Sequence, residues 1–387
     1  MKIIYLDNAA TTKVDERVAK EMQKCLLENY GNASSLHFKG EEAKRILEKS
    51  REIIAKKIGA KRDEIVFTGS GTESNNFALK GLFFENLKNS IGKNHIITTK
   101  IEHDCILNSC KWLEQNFGAR ITYLDVDKKG FVDLEQLENS IDEKTLVISV
   151  IHGNNEIGTI QNLKEIGRIC KSKGVLFHTD ACQSFTKVGI DVSKMNLDLV
   201  TLNAHKIHGP KGVGALYIRG GIKIFPLLHG GGQEFKLRSS TENIPGIAGF
   251  AKAVEISNES ENKKIQKLRD YFIDELLKIP DLQINGAFGD KRLCNNINVC
   301  FSNIEGEAIG SFLNSKGIYT STGSACSSKS LDPSHVLLGI GLTPLQANSS
   351  IRISLSKFIT KEDVNFALQE IKKTVSKLRM LSPFVRR

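Results

Sequence analysis

Three short stretches hold side chains whose types and spacing suit one kind of chemistry. In Phe177-His178-Thr179-Asp180-Ala181-Cys182-Gln183 an apolar run ends in a carboxylate, and in open α/β sheets ligands gather at the carboxyl edge of such strands. In Asn203-Ala204-His205-Lys206-Ile207-His208-Gly209-Pro210-Lys211-Gly212 a lysine opens a Gly/Pro-rich turn just past another apolar run. An amine there can form a Schiff base with an aldehyde when nearby cations lower its proton affinity. A carboxylate can pair with a protonated ring nitrogen, and both groups are what a pyridoxal cofactor needs. Thr68-Gly69-Ser70-Gly71-Thr72-Glu73-Ser74 opens a helical pattern, and its glycines and first N–H groups suit a phosphate. It matches neither G-x-x-x-x-G-K-[ST] nor G-x-G-x-x-G, so nucleotide readings lose ground. Each stretch also has a plainer reading: Asp180 as a helix cap, Lys206 as a surface lysine, and the glycines as a ligand-free turn.

Further polar groups fall at the same kind of position. His103, in Ile101-Glu102-His103-Asp104, follows an apolar run and can stack on a flat cofactor and move protons; it can equally cap a helix. Asn155, in Asn154-Asn155-Glu156-Ile157-Gly158, offers an amide to a carboxylate or phenolic oxygen. Arg352, in Ser350-Ile351-Arg352-Ile353-Ser354, can clamp a substrate carboxylate.

The elements that must position these groups show in the hydrophobic pattern. Runs at Glu64 to Thr68, His95 to Thr99, Arg120 to Leu124, Thr145 to Ile151, Val175 to His178 and Asp198 to Leu202 read as strands. Helices are expected from Thr72 and Asp104, and the alternation is that of a mainly parallel α/β sheet between helices. Upstream, Ala43, Ile46, Leu47, Ile53, Ile54 and Ile58 recur at helical spacing. Beyond residue 248 one long charged helix from Gly249 to Ile279, a strand at Asn296 to Phe301 and a closing helix from Lys361 to Leu378 suggest a smaller α+β domain. We therefore expect a large domain over 15–255 and a small one formed by 1–14 and 256–387.

With 387 residues, 40% of them hydrophobic, the chain can bury a large core. Its apolar runs are too short to span a bilayer, and Met1 to Asp7 reaches an acid before a signal-like segment develops, so a cytoplasmic protein with no membrane partner is expected. Eight cysteines are scattered without C-x-x-C pairs, which favours neither a disulfide framework nor a metal site. The net charge of +10 is interspersed with acids and accompanies no nucleic-acid motif, so direct nucleic-acid binding is not expected.

In this order the motifs resemble the cysteine desulfurases, fold-type I pyridoxal-phosphate enzymes of the class V aminotransferase group. The resemblance runs from Tyr5-Leu6-Asp7-Asn8-Ala9-Ala10-Thr11-Thr12 to Leu381-Ser382-Pro383. It implies pyridoxal 5'-phosphate as cofactor, Lys206 as its Schiff-base lysine, Asp180 on the pyridine nitrogen, Gln183 on the phenolic oxygen and His103 stacked over the ring. The phosphate would lie among Gly71, Thr72, Asn203, His205 and, across a homodimer interface, Thr241. Asn155 and Arg352 would take the carboxylate of L-cysteine, with Asn155 also near the cofactor. Gly323-Ser324-Ala325-Cys326-Ser327-Ser328, followed by Leu331-Asp332-Pro333-Ser334-His335-Val336-Leu337, is similar to the mobile-loop motif of the longer-loop, iron–sulfur-cluster-assembly group. There Cys326 would accept the sulfur as a persulfide, leave alanine behind, and pass the sulfur to an acceptor such as an iron–sulfur scaffold or to RNA thiolation.

The sequence departs from the family pattern at Asn203 and Ala204, where Ser and Gly are usual, so a hydroxyl contact to phosphate is expected to be either absent or replaced by an amide. Cys182, between Asp180 and Gln183, reads as packing. The chain stops soon after Ser382-Pro383 without the extended tail of some members, which leaves the acceptor open. Rival readings are an aminotransferase, a selenocysteine lyase and a scaffold subunit that has lost its chemistry; the first two share Lys206 and Asp180, and the last would be expected to lose Lys206 or Cys326.

Overall fold

The computed structural model describes residues 2–322 and 332–381. It opens with β1 (Ile4–Tyr5), α1 (Glu16–Leu27) and α2 (Phe38–Lys57). Strands and helices then alternate: β2 (Ile65–Thr68), α3 (Gly71–Lys88), β3 (His95–Thr99), α4 (Asp104–Phe117), β4 (Arg120–Leu124), α5 (Leu134–Asn139), β5 (Thr145–Ser149), α6 (Leu163–Lys173), β6 (Leu176–Asp180), β7 (Leu199–Asn203) and β8 (Gly214–Ile218).

The strands β2 to β8 make one seven-stranded sheet in the order β2-β8-β7-β6-β5-β3-β4. Neighbours from β7 to β4 are parallel, while β8 runs antiparallel to β7 and β2. Helical crossovers cover both faces of a parallel sheet. Val147, Ile148, Phe177 and Val200 are accordingly sealed from solvent, which is why their runs read as apolar throughout rather than alternating. The sheet is the mainly parallel one expected, with β3 and β4 bounded as the pattern indicates. The sequence pattern did not mark β8, a short run behind Gly212 and Gly214 that brings the chain back beside β2.

The second half keeps the expected strand Asn296–Phe301 but holds more strands and helices than the pattern marks, and its closing helix runs to Leu381. The long helix expected over Gly249 to Ile279 is two helices, α7 (Ile244–Ile256) and α8 (Glu259–Leu276). Ser257 takes an extended conformation, and Asn258 restarts the helix by accepting the Glu261 N–H at 2.9 Å. The first helix carries the same core as α2: Phe250, Ala253 and Val254 pack with Ala43, Leu47 and Ile54.

The remaining elements are β9 (Leu282–Ile284), β10 (Asn296–Phe301), α9 (Gly306–Asn314), β11 (Ile318–Tyr319), β12 (Ser321–Thr322), α10 (His335–Gly339), α11 (Pro344–Asn348), β13 (Ser350–Ser354) and α12 (Lys361–Leu381). An antiparallel sheet of order β12-β13-β10-β9 shares a second apolar cluster with α8 and α12, including Phe272, Val299, Ile353 and Ile371. The first residues of the chain join this cluster: β1 pairs with β11, and Ile4 and Leu6 are buried there. The N-terminal segment thereby runs from the second core past the carboxyl edge of the seven-stranded sheet.

Candidate active site

The turn between β2 and α3 is built for close approach. Ser70 caps the helix by accepting the Glu73 N–H at 3.1 Å, and the Glu73 carboxylate accepts the Gly69 N–H at 2.7 Å. Arg238 grips that carboxylate at 2.8 Å. A Cβ on Gly71 would lie 2.5 Å from the Cys182 sulfur and 3.4 Å from the Asn203 amide nitrogen. Only glycine lets the start of α3 meet the ends of β6 and β7 this closely. An 18-residue helix beginning here turns its first N–H groups and positive dipole end toward any anion at the edge. Asn203 Oδ1 is buried there with no hydrogen-bond partner, a polar atom that a bound group would satisfy.

Asp180 ends β6 and is 4% exposed. One of its oxygens accepts the Cys182 N–H at 2.9 Å, the local cap that its sequence position allows. The other accepts from Asn75 Nδ2 at 2.7 Å, a tertiary bond from α3 with no sequence signature. Gln183 Nε2 donates to the Ala9 carbonyl at 2.8 Å.

Lys206 Nζ donates to that same Ala9 carbonyl and to the Ala10 carbonyl at 2.6 Å. The N-terminal segment is therefore in direct contact with the lysine and glutamine expected to touch a cofactor. Thr12 Oγ1 donates to the His205 carbonyl at 2.9 Å, and Thr11 Oγ1 lies 3.2 Å from His205 Nδ1. Burial, with the charges of Lys206, Lys211 and Lys187, pulls the His205 imidazole down to about 4, so the ring is neutral at pH 7 and can serve as acceptor or donor. Lys187 donates to the carbonyls of Gln183 at 2.8 Å and Lys206 at 3.1 Å. Burial lowers its amine to about 8.

His103 is the N-cap of α4, its Nδ1 accepting the Cys105 N–H at 3.2 Å. Capping, the plain reading of its position, fixes the ring at the sheet edge. The Cys105 sulfur lies 3.0 Å from that ring nitrogen and accepts from Asn75 Nδ2 at 3.1 Å. Burial pushes the Cys105 thiol up to about 12 and the Cys182 thiol well above its ordinary value. Both stay protonated and are poor nucleophiles.

Arg352 and Asn155 meet from opposite sides. Arg352 Nη1 donates to the Asn155 carbonyl at 3.2 Å and Nη2 to Asp7 Oδ1 at 2.9 Å. Arg352 Nε and Asn155 Oδ1 are buried without partners. Asn154 is structural, its Oδ1 accepting the Glu156 and Ile157 N–H groups at 2.9 and 3.0 Å. Thr241 is exposed, and Cys326 lies outside the described residues. The sequence patterns do not single out Asn75, Lys187 or Asp7; Asn75 and Asp7 act through partners distant in the chain, and Lys187 through carbonyls four and nineteen residues away.

A carboxylate, a lysine, a capping imidazole and a helix N-terminus at one sheet edge fit the ring nitrogen, aldehyde, ring face and phosphate of a pyridoxal phosphate. The chain belongs to the class-V aminotransferase family, whose model matches residues 4–366. Within that class its relatives are cysteine desulfurases. It is 49% identical to the cysteine desulfurase IscS of Methanosarcina thermophila, covering 99% of this chain and 94% of that one. With the cysteine desulfurase IscS of Dictyoglomus turgidum it shares 48% identity over 98% of this chain and 96% of the relative. Among solved structures, a NifS-like protein matches with a TM-score of 0.91 at 41% identity, covering 97% of this chain and all of that one (100%). A structure described as SspA in complex with cysteine matches at 0.82 with 39% identity, covering 92% of this chain and 100% of the other.

Proposed function

We propose that this chain is a pyridoxal-phosphate-dependent cysteine desulfurase that converts L-cysteine to L-alanine and passes the sulfur on for iron–sulfur cluster assembly or RNA thiolation. The observation that carries the reading is the convergence of Lys206 and Gln183 on the Ala9 carbonyl, at the sheet edge where β6 also ends in Asp180. When bound, the cofactor supplies an aldehyde and an electron-accepting ring that makes the α-proton and the sulfur of an amino acid labile.

The chain's own residues divide the remaining work. Lys206 would hold the cofactor and, once released, move the substrate α-proton with His103 assisting. Asp180, fixed by Asn75, would keep the ring nitrogen protonated. Gln183 and Asn155 would face the phenolic oxygen. Gly71, Thr72, Asn203 and His205 would hold the phosphate, and Arg352 with Asn155 the substrate carboxylate. The Cys326 thiolate would take the substrate sulfur, forming a persulfide as the carbon–sulfur bond breaks.

A homodimer supplies Thr241 to the neighbouring phosphate site in this reading. Leu27, Tyr30, Leu36 and Phe38 are each exposed, apolar side chains of the kind that a second copy would cover. The division into 15–255 and 1–14 with 256–387 is supported by the separate apolar clusters of the two parts. Among the described residues no helix is long and apolar enough to cross a membrane, which agrees with a cytoplasmic enzyme handing sulfur to an acceptor protein.

The reading is tested by loading the protein with pyridoxal phosphate and supplying L-cysteine with a reductant. Alanine and sulfide in equal amounts are expected; 3-mercaptopyruvate, in which the amino group has been exchanged for a ketone and the sulfur retained, would mark an aminotransferase instead.

A further inference from the structure

The guanidinium of Arg352 is a rigid planar fork, so two fixed bonds decide where its third nitrogen points. Asp7 Oδ1 takes Nη2 at 2.9 Å and the Asn155 carbonyl takes Nη1 at 3.2 Å, while Nε is buried with no acceptor. Arg352 is itself 4% exposed. A buried donor left open beside two satisfied ones is a site awaiting an oxygen.

The main chain around Asp7 is held without the help of its carboxylate. The Asn8 side chain donates to the Ser354 carbonyl at 2.8 Å, and the Ala9 N–H donates to the Ser354 hydroxyl at 2.8 Å. Asp7 and Ser354 also form a parallel bridge. The Asp7 carboxylate is therefore available for a purpose other than docking the N-terminal segment, and it forms an ion pair with Arg352.

We propose that Asp7 is a positioning residue of the substrate-carboxylate site: it holds Arg352 by Nη2 so that Nε–H, on the same edge of the guanidinium, is presented to the carboxylate of an α-amino acid. This rests on the desulfurase reading above. Asp7 orients the arginine without touching substrate, and its side chain is needed in proportion to how much of the ligand's affinity comes from its carboxylate.

Asp7→Ala and Asp7→Asn, both loaded with pyridoxal phosphate, test the assignment. In Asp7→Ala the KM for L-cysteine should rise roughly ten- to a hundredfold, the loss expected for a charge-assisted hydrogen bond, with a smaller change in kcat. Asp7→Asn keeps an oxygen for Nη2 and should fall between that variant and the parent. Binding read by visible absorbance should weaken by the same factor for L-alanine and not for ethylamine, which lacks the carboxylate. In an Arg352→Ala background, Asp7→Ala should add nothing. An unchanged or lowered KM in Asp7→Ala would overturn the proposal, as would equal weakening of both amines or an effect that persists without Arg352. A parent protein that makes no alanine from L-cysteine would instead remove the desulfurase reading, and the alanine-to-ethylamine comparison would still decide the role of Asp7.

Discussion

Asn75, one turn into α3, donates to Asp180 at the end of β6 across 2.7 Å. One side-chain bond thus ties the start of α3 to the carboxylate that ends β6. Removing it leaves a buried carboxylate oxygen short of a donor. Asn75→Ala should cost about 1–3 kcal/mol of stability and weaken cofactor retention. Urea unfolding and equilibrium dialysis of pyridoxal phosphate read the two effects separately. Unchanged retention would show that Asp180 is placed by the Cys182 N–H alone.

Lys206 lies within hydrogen-bond reach of the Ala9 and Ala10 carbonyls, so the N-terminal segment holds its amine at the sheet edge. Lys206→Ala should abolish the visible absorbance of lysine-bound cofactor and lower turnover by at least about 10²–10⁴-fold, the range for a lost proton-transfer group. Parent-like turnover in that variant would remove Lys206 from the reaction.

The segment leading to Thr241 depends on a buried ion pair. Arg51 bonds both oxygens of Glu234 at 2.7 and 2.8 Å, and Glu234 also accepts the Phe67 N–H of β2 at 2.7 Å. Glu234, Phe235 and Lys236 all take positive φ, of 46°, 60° and 67°, a conformation that needs such an anchor. Glu234→Ala strips the buried Arg51 of its bidentate partner, leaving it the Ile65 carbonyl at 2.6 Å and Glu48 at 3.5 Å, and should cost about 3 kcal/mol, the lower end of the range for a broken buried pair, while a double variant with Arg51→Met should recover part of it. Thermal or urea denaturation of the single and double variants measures the coupling.

Burial, with the charge of Asp180 adding to it, pushes the Glu102 carboxyl up to about 8. Its Oε1 accepts from Thr99 and the Ile151 N–H at 2.7 and 2.9 Å, and Oε2 has no partner. The folded protein therefore keeps a proton that the unfolded chain releases above its ordinary value of 4.5. The stability from this group is full below that value and is lost as the pH rises through about 8. Glu102→Gln removes the loss, so its urea midpoint should gain on the parent as the pH goes from about 5 to about 9. A difference that does not vary with pH would contradict a protonated Glu102 beside His103.

What the sequence made legible follows from where the chemistry sits. Asp180 ends a strand of the parallel sheet and Lys206 and His103 come just after one, so the strand and the turn out of it aim them and the local pattern marks them. Asn75 is inside a helix buried on most sides, where no periodicity separates a ligand-holding amide from a core position. Asp7 matters through Arg352, a contact that topology creates, and Lys187 through backbone carbonyls of Gln183 and Lys206, which no side-chain pattern marks. The break between α7 and α8 escaped a reading of apolar spacing because the charged run continues across it; Asn258, a helix-capping residue type, was the one local sign. Strand β8 hid behind glycines that are required there, since a Cβ on Gly214 would come within 2.7 Å of the Ser70 backbone.

The central claim is that sulfur leaves L-cysteine for Cys326, and single-turnover mass spectrometry of the loaded protein tests it most directly. One equivalent of L-cysteine without reductant should give one alanine and a protein heavier by one sulfur atom, about 32 Da, located on Cys326, with Cys326→Ser yielding neither while still binding cofactor. Alanine formed at the parent rate by Cys326→Ser, or added sulfur on any other cysteine, would contradict it.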